Sequence, residues 1–294
     1  GYSDTNEQNK FKIAFVVDYI FYYSGELPKH VLTSLNAVLS VEDDSKIYFC
    51  GSDNSKLDHD RVTFINSKYF FDSHYINKIE ELEKFERLDN NPLWKTSLQR
   101  IFYLYEIANH FNIDKFIHFD NDVIVFKPFD AINTIFENSK INITKLSKDM
   151  LIFGYSYIDS LETYKKVCDT LVNIYENKKF YEDKYYDGKS LVEMRGLYLS
   201  YLEENKFFNI LPTLPKENNN FLFDPGSYGQ YLGGLHNKRF SKRYIDKDHQ
   251  TYDLLNGKEI LPVYEDGKAY INFYSQKIDL VNLHVHSKKL DKYL

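Results

Sequence analysis

The sequence predicts an α/β protein with a mostly parallel sheet and helices on both faces. Strand-like and helix-like patterns alternate through residue 130, which is the arrangement that builds parallel sheets. The 294 residues, 43% of them hydrophobic, suffice for one large domain or two modest ones. Because we find no internal repeat and no low-complexity linker, we expect one domain with an elaborated half after residue 130.

The first half alternates short apolar runs with amphipathic segments. Strands are predicted over 11–19, 46–52 and 61–66, and helices over 25–40, 74–88 and 94–111. A further apolar run, 115–119, stops at Asp120-Asn121-Asp122 and resumes at 123–126. Two carboxylates between pieces of strand are unusual, because like charges repel and Asp has poor strand propensity.

The second half is more mixed. Its strand-like runs are 150–157, 207–211, 259–264, 268–274 and 278–290, and its helical patterns are 160–180 and 191–206. A polar break, 181–190, separates the two helical patterns, and a loop-rich stretch covers 216–234.

Composition limits the classes of function. The net charge of −6 disfavours nucleic-acid binding, which needs a basic face for the phosphates. Cys50 and Cys168 form no CxxC motif, so a disulfide scaffold is disfavoured and a reducing compartment is expected. No apolar run approaches the roughly 20 residues that cross a bilayer. We expect a cytoplasmic protein, and leave open association with a membrane surface and membership of a longer chain.

The pair Asp120 and Asp122 is a candidate metal site. Separated by one residue, the two side chains project similarly from an extended backbone, at the strand edge where α/β proteins bind ligands. A divalent cation offsets their repulsion, and hard oxygen ligands suit Mg²⁺ or Mn²⁺. The alternative is a surface turn. An EF-hand is disfavoured, because Val125 and Ala131 occupy its Gly and Glu positions.

A second polar cluster lies near the end of the chain. His284 and His286 alternate on a predicted strand and so face one side, and Lys288 and Lys289 follow. Imidazole is a suitable Mn²⁺ ligand, and lysine is a charge partner for phosphate. The alternative is an edge strand with solvated side chains.

Two segments resemble the GT-A glycosyltransferases, which transfer a sugar from a nucleotide donor. Residues 116–130, FIHFDNDVIVFKPFD, resemble their DxD segment, and 91–108 resemble the helix before it. The resemblance implies a Rossmann-like GT-A fold, a Mn²⁺ or Mg²⁺ cofactor, a UDP- or GDP-linked sugar donor and a glycan acceptor. It makes Asp122 the direct metal ligand, Asp120 a ribose and metal neighbour, and Arg100 a donor contact rather than a solvated helix charge.

The terminal segment VNLHVHSKKL also resembles metal-dependent GT-A enzymes, including the galactosyltransferase/glycogenin-like group. There a late histidine completes the metal shell and a lysine contacts the diphosphate. This favours His284 as a metal ligand, with His286 either a second ligand or a substrate contact, and Lys288 and Lys289 as donor contacts. The implied organisation is one catalytic domain, 1–294, with a donor half, 11–130, and an acceptor half, 131–294, whose end returns to the metal site.

Glu193 and Asp224 are the first candidates for the catalytic base of an inverting transfer, with Asp248 and Asp253 behind them. Glu193 lies just inside the predicted helix 191–206, where the helix macrodipole alone is an alternative explanation. Asp224 lies in the glycine-rich stretch 223–234, which resembles a segment of polysaccharide glycosyltransferases, and its alternative role is a turn acceptor. Inversion and retention are both left open.

Two other functions compete with a glycosyltransferase. A sugar nucleotidyltransferase also combines an α/β fold with metal-binding carboxylates, but the segment after the first strand lacks its usual glycine-rich basic loop. A non-catalytic carbohydrate-binding protein would explain the aromatic share of 17%, but it would not need the histidine–lysine end.

Overall fold

A computed structural model describes residues 16–85, 92–215, 220–230, 248–250 and 260–294. The strands are β1 (Asp18–Tyr23), β2 (Ile47–Gly51), β3 (Val62–Asn66), β4 (Phe116–His118), β5 (Val123–Val125), β6 (Ile141–Ser147), β7 (Met150–Ile158), β8 (Phe208–Ile210), β9 (Phe221–Leu222), β10 (Val263–Glu265), β11 (Lys268–Phe273), β12 (Gln276–Leu280) and β13 (Asn282–His284). The helices are α1 (Lys29–Val41), α2 (His74–Phe85), α3 (Pro92–His110), α4 (Phe129–Ile132), α5 (Leu161–Glu176), α6 (Lys178–Tyr185) and α7 (Glu193–Glu203).

Seven strands form the central sheet, in the order β3-β2-β1-β4-β7-β6-β8. Four of its pairings are parallel (β3 with β2, β2 with β1, β1 with β4, and β6 with β8). Strand β7 runs antiparallel to both of its neighbours. The prediction of a mostly parallel α/β sheet is therefore confirmed.

Both faces of the sheet are covered, because alternate strand residues enter two separate cores. Ile20 and Tyr22 of β1 pack into the core formed with α2, α3, α5 and α7. Tyr19 and Phe21 pack into the opposite core, with α1 and strands β5 and β13. Helices on both faces were predicted and are found. Among the helices in the described ranges, none has both the length and the apolarity to cross a bilayer.

Several boundaries differ from the sequence prediction. Strand β1 spans Asp18–Tyr23, and within the described part of the predicted strand 11–19, Val16 and Val17 have no strand structure. The predicted helix over 160–180 divides at Asn177 into α5 and α6, and α6 occupies part of the predicted polar break. Strand β6 was not predicted. Parts of the predicted segments lie outside the described residues: 11–15, 86–88, 91, 216–219, 231–234 and 259, as does Asp253.

A two-stranded ribbon brings the end of the chain to the Asp pair. Strand β13 runs antiparallel to β5, with His284 opposite Val123. The ladder continues beyond the strand, since the backbone N–H of Val285 donates to the carbonyl of Asp122 at 2.9 Å. The two motifs, far apart in the sequence, are thus direct neighbours in space.

Candidate active site at the carboxyl ends of β1 and β4

A cavity of about 550 Å³ opens at the edge of the sheet where β1 and β4 end. Strand ends, the first turn of α1, and helices α3 and α7 contribute to its walls, as does the segment after β13. This volume is in the range of small-molecule sites. Its charged lining side chains include Arg100, Asp120, Asp122, Glu193 and Lys288.

Asp122 lies at the centre of the charged part of the cavity. One carboxylate oxygen is 2.8 Å from Nε2 of His284, and the other accepts from the Lys288 ammonium at 3.2 Å. Burial alone would raise the pKa of Asp122, but His284 and Lys288 outweigh it and hold that pKa below its usual range. Asp122 is therefore an ionised, buried carboxylate that faces cationic groups.

His284 is oriented by the backbone around it. Its Nδ1 lies 3.2 Å from the carbonyl oxygen of Pro225, which can only accept, so Nδ1 carries the hydrogen and Nε2 faces the carboxylates. Burial lowers the pKa of His284, but Asp122 more than offsets this and raises it to about 9. A metal ion that binds Nε2 of His284 would have to displace the hydrogen that this nitrogen carries in the protonated ring.

Two further side chains adjoin this pair. Oδ2 of Asp120 is 3.4 Å from Nε2 of His284. The ring of His286 is half-buried, with its centroid 4.7 Å from that of His284, and burial together with His284 lowers the pKa of His286 to about 4. The structure thus gathers the predicted metal candidates Asp120, Asp122, His284 and His286 in one place.

Arg100 joins the Asp pair to the opposite wall of the cavity. Its guanidinium forms an ion pair with Asp120 and donates to Oε1 of Glu193 at 2.8 Å. The guanidinium carbon also lies 5.0 Å from the centre of the Phe153 ring. Arg100 is buried, so the alternative of a solvated helix charge does not describe it.

Glu193 is the first residue of α7 and is buried against Arg100. Burial raises the pKa of Glu193 to about 7, even though Arg100 acts in the opposite direction. Its carboxyl group therefore exchanges a proton near neutral pH while it lines the cavity.

Asp224, the other predicted catalytic carboxylate, has a different environment. It is fully buried and does not line the cavity. Its two oxygens accept backbone N–H groups at 2.7–2.9 Å from Gly226, Ser227, Tyr228, Gly229 and His284. This geometry favours the alternative role of a turn acceptor, which here also fixes the backbone of His284.

Lys289, predicted as a donor contact, is exposed and outside the cavity lining.

Sequence reasoning missed other lining residues, among them Tyr23, His30 and Met194. Tyr23 could have been predicted as a lining residue, because it ends β1, which lies beside β4. It was missed because the first strand was predicted to end at residue 19. For His30 and Met194 the sequence held no comparable signal.

Comparison with known proteins gives weak likenesses. No protein-family model and no curated sequence matches the chain. The apo form of mouse xyloside xylosyltransferase 1 shares 14% identity over 71% of this chain and 89% of that chain, with a TM-score of 0.48. The galactosyltransferase LgtC, solved with donor and acceptor sugar analogues, shares 13% over 68% and 76%, with a TM-score of 0.42.

A third solved structure is the glycosyltransferase GlyE of Streptococcus pneumoniae TIGR4, with 13% identity over 67% of this chain and 45% of that chain, and a TM-score of 0.39. All three proteins are transferases by name. Likenesses at these identities and TM-scores do not establish the function of this chain.

Proposed function

We propose that the chain is a metal-dependent GT-A glycosyltransferase that moves a sugar from a UDP- or GDP-linked donor to a hydroxyl group of a glycan. One observation carries the proposal. Asp122, just after β4, and His284, near the end of the chain, meet at 2.8 Å inside a cavity at the carboxyl ends of parallel strands. Ligands of open α/β sheets bind at this edge.

The donor set suits a divalent cation. A carboxylate oxygen of Asp122 and Nε2 of His284 are hard or borderline ligands of the kind that hold Mn²⁺ or Mg²⁺, and Asp120 lies beside them. When bound, such an ion supplies positive charge that stabilises a departing diphosphate. Asp122 is paired with His284 and Lys288, so its carboxylate is already held ionised and directed at the place where a cation would bind.

Lys288 is the residue that we assign to the diphosphate. Its side chain lines the cavity, is 43% exposed and reaches Asp122, so the ammonium can turn to a phosphate oxygen without leaving the site. Arg100 has a different role. Because it is paired on both sides, it holds Asp120 and Glu193 apart and fixed.

Glu193 is the carboxylate that we assign to the acceptor hydroxyl. A pKa of about 7 matches the working range of a general base, and Arg100 fixes its orientation. Asp224 does not suit this role, because its oxygens already accept five backbone N–H groups. We keep the single domain 1–294, with donor half 11–130 and acceptor half 131–294, as part of the proposal.

Thermal-shift measurements with a panel of nucleotide sugars, with and without Mn²⁺, test the proposal. We expect stabilisation that needs both nucleotide sugar and metal, and that Asp122→Ala abolishes. Stabilisation by a nucleoside triphosphate and metal would favour a nucleotidyltransferase instead. Stabilisation by free glycan alone would favour a carbohydrate-binding protein. Survival of metal-dependent donor binding in Asp122→Ala would refute the assignment of the site.

A further inference from the structure

One compact group of metal-ligating side chains lies in the cavity. Asp122, His284 and His286 each offer one atom, and these atoms lie within 4.8 Å of one another. Two ligands at about 2.1 Å from one ion are at most about 4.2 Å apart, so small side-chain rotations suffice to place all three on an ion. Within the part of the chain that the structure describes, this is the one such group.

Asp120 does not belong to this group, although a DxD motif would lead one to expect it. One of its oxygens is paired with Arg100, which in turn is held by Glu193 at 2.8 Å. Arg100 is buried, so a shift of Asp120 toward an ion would weaken a buried ion pair. The other oxygen, Oδ2, lies 3.4 Å from Nε2 of His284, but Asp120 is not part of the group whose ligand atoms all lie within 4.8 Å of one another.

His286 is placed to act in its stead. Its ring stands edge-on to that of His284, at 88°, and a nitrogen of each ring lies within 4.8 Å of the other and of a carboxylate oxygen of Asp122. Gly226 leaves space for both: a Cβ there would lie 3.2 Å from Nε2 of His286 and 3.3 Å from Nδ1 of His284. Its φ of +126° also favours glycine. A larger residue at position 226 would press on both rings.

We infer that His286 replaces Asp120 as the third protein ligand, so that two imidazole nitrogens and one carboxylate oxygen hold the ion. This donor set favours transition metals over Mg²⁺, which prefers oxygen ligands and water. The site therefore selects Mn²⁺ or Co²⁺ over Mg²⁺, with its remaining positions open to phosphate oxygens. The inference rests on the proposed function, because it concerns the same ion, and it narrows the cofactor.

Metal titrations of the full chain without nucleotide test the inference. Co²⁺ binding is followed by visible absorption, Mn²⁺ binding by loss of the free-ion EPR signal, and Mg²⁺ binding by competition with Mn²⁺. The variants are His286→Ala, His286→Asp and Asp120→Asn. The matched control is His30→Ala, which removes another histidine of the same cavity. Thermal unfolding of each metal-free variant establishes that it folds, and His286→Asn replaces either His286 variant if that variant does not fold.

We expect His286→Ala to weaken the binding of Co²⁺ and Mn²⁺ by at least about 10-fold. Removing a residue that only supports a metal ligand already costs about 10- to 100-fold in metal affinity. His286→Asp should reduce the ratio of Co²⁺ affinity to Mg²⁺ affinity, because it replaces a nitrogen ligand by an oxygen ligand. Asp120→Asn and His30→Ala should each change the Co²⁺ affinity less than about threefold. Co²⁺ affinity that depends on Asp120 and ignores His286 would overturn the inference and leave the proposed function standing. A protein that binds no divalent ion, even with nucleotide sugar present, would instead overturn the metal-dependent function itself.

Discussion

Replacing Arg100 with leucine removes the cation that separates two carboxylates in the cavity. The Arg100 side chain is 11% exposed, and its partners Asp120 and Glu193 are 18% and 5% exposed. Removing one partner of a buried pair typically costs about 3–5 kcal/mol, because the other charge stays buried. We expect the free energy of unfolding to fall by about 3 kcal/mol at pH 8, the lower end of that range, since Asp120 is partly exposed.

The effect of this substitution should depend on pH. Burial raises the pKa of Glu193 from 4.5 to about 7. The folded protein thus binds this proton more tightly than the unfolded chain, so the contribution of Glu193 to stability falls as pH rises from 4.5 through 7. Without Arg100 the pKa rises further, and at pH 5 Glu193 is neutral. We therefore expect a smaller loss from Arg100→Leu at pH 5 than at pH 8.

Urea unfolding followed by circular dichroism at both pH values measures these losses. The double variant Arg100→Leu/Glu193→Leu should recover part of the loss, because it removes the stranded carboxylate. Arg61→Leu is the matched control: Arg61 donates to the backbone carbonyls of Leu39 and Glu42, so its loss should not differ between pH 5 and pH 8. A loss from Arg100→Leu below about 1 kcal/mol, the range of exposed pairs, or one equal at both pH values, would refute the reasoning.

Three more predictions concern the remaining site residues. Because the pKa of His284 is raised to about 9, its protonated ring stabilises the metal-free folded protein fully below pH 6.5, and this stabilisation is lost as pH rises through 9. The difference in unfolding free energy between wild type and His284→Ala should therefore shrink between pH 7 and pH 10. Asp224→Asn should lower the free energy of unfolding in urea by about 2–5 kcal/mol, because an amide nitrogen cannot accept the N–H groups of Gly229 and His284; a loss near zero would contradict the role of turn acceptor. Glu193→Gln should lower kcat for transfer about 10²- to 10⁴-fold and leave calorimetric donor binding unchanged; equal losses in both would argue for a donor-binding role instead.

The sequence predicted the fold class because period-2 and helical patterns follow burial, but tertiary contacts set several boundaries. Strand β6 was missed, although its apolar residues alternate with two polar ones, Asn142 and Thr144, as in a strand with one solvated face. In the structure both are buried and hydrogen-bonded: Asn142 donates to the carbonyl of Tyr157, and Thr144 donates to that of Ile152. Those partners lie on β7, so the burial of these polar residues depends on a pairing that local propensity does not encode.

In the candidate site, too, local sequence patterns were predictable and tertiary contacts were not. Asp122 and His284 were predicted together because both segments resemble metal-dependent GT-A enzymes, and both residue types suit a divalent ion. The pairing of Arg100 with Glu193 was not predictable, since it depends on how α3 packs near α7. The environment of Asp224 likewise depends on a loop that folds around its carboxylate, whereas a carboxylate in a glycine-rich stretch fits catalysis and turn formation equally well in sequence.

The most direct test of the central claim is a crystal structure with Mn²⁺ and a nucleotide-sugar donor, with anomalous scattering recorded to locate the ion. We predict one anomalous peak about 2.1–2.3 Å from an oxygen of Asp122 and from Nε2 of His284, and bonded to oxygens of the diphosphate. A donor bound elsewhere, or an ion that contacts only one of these two residues, would contradict the account.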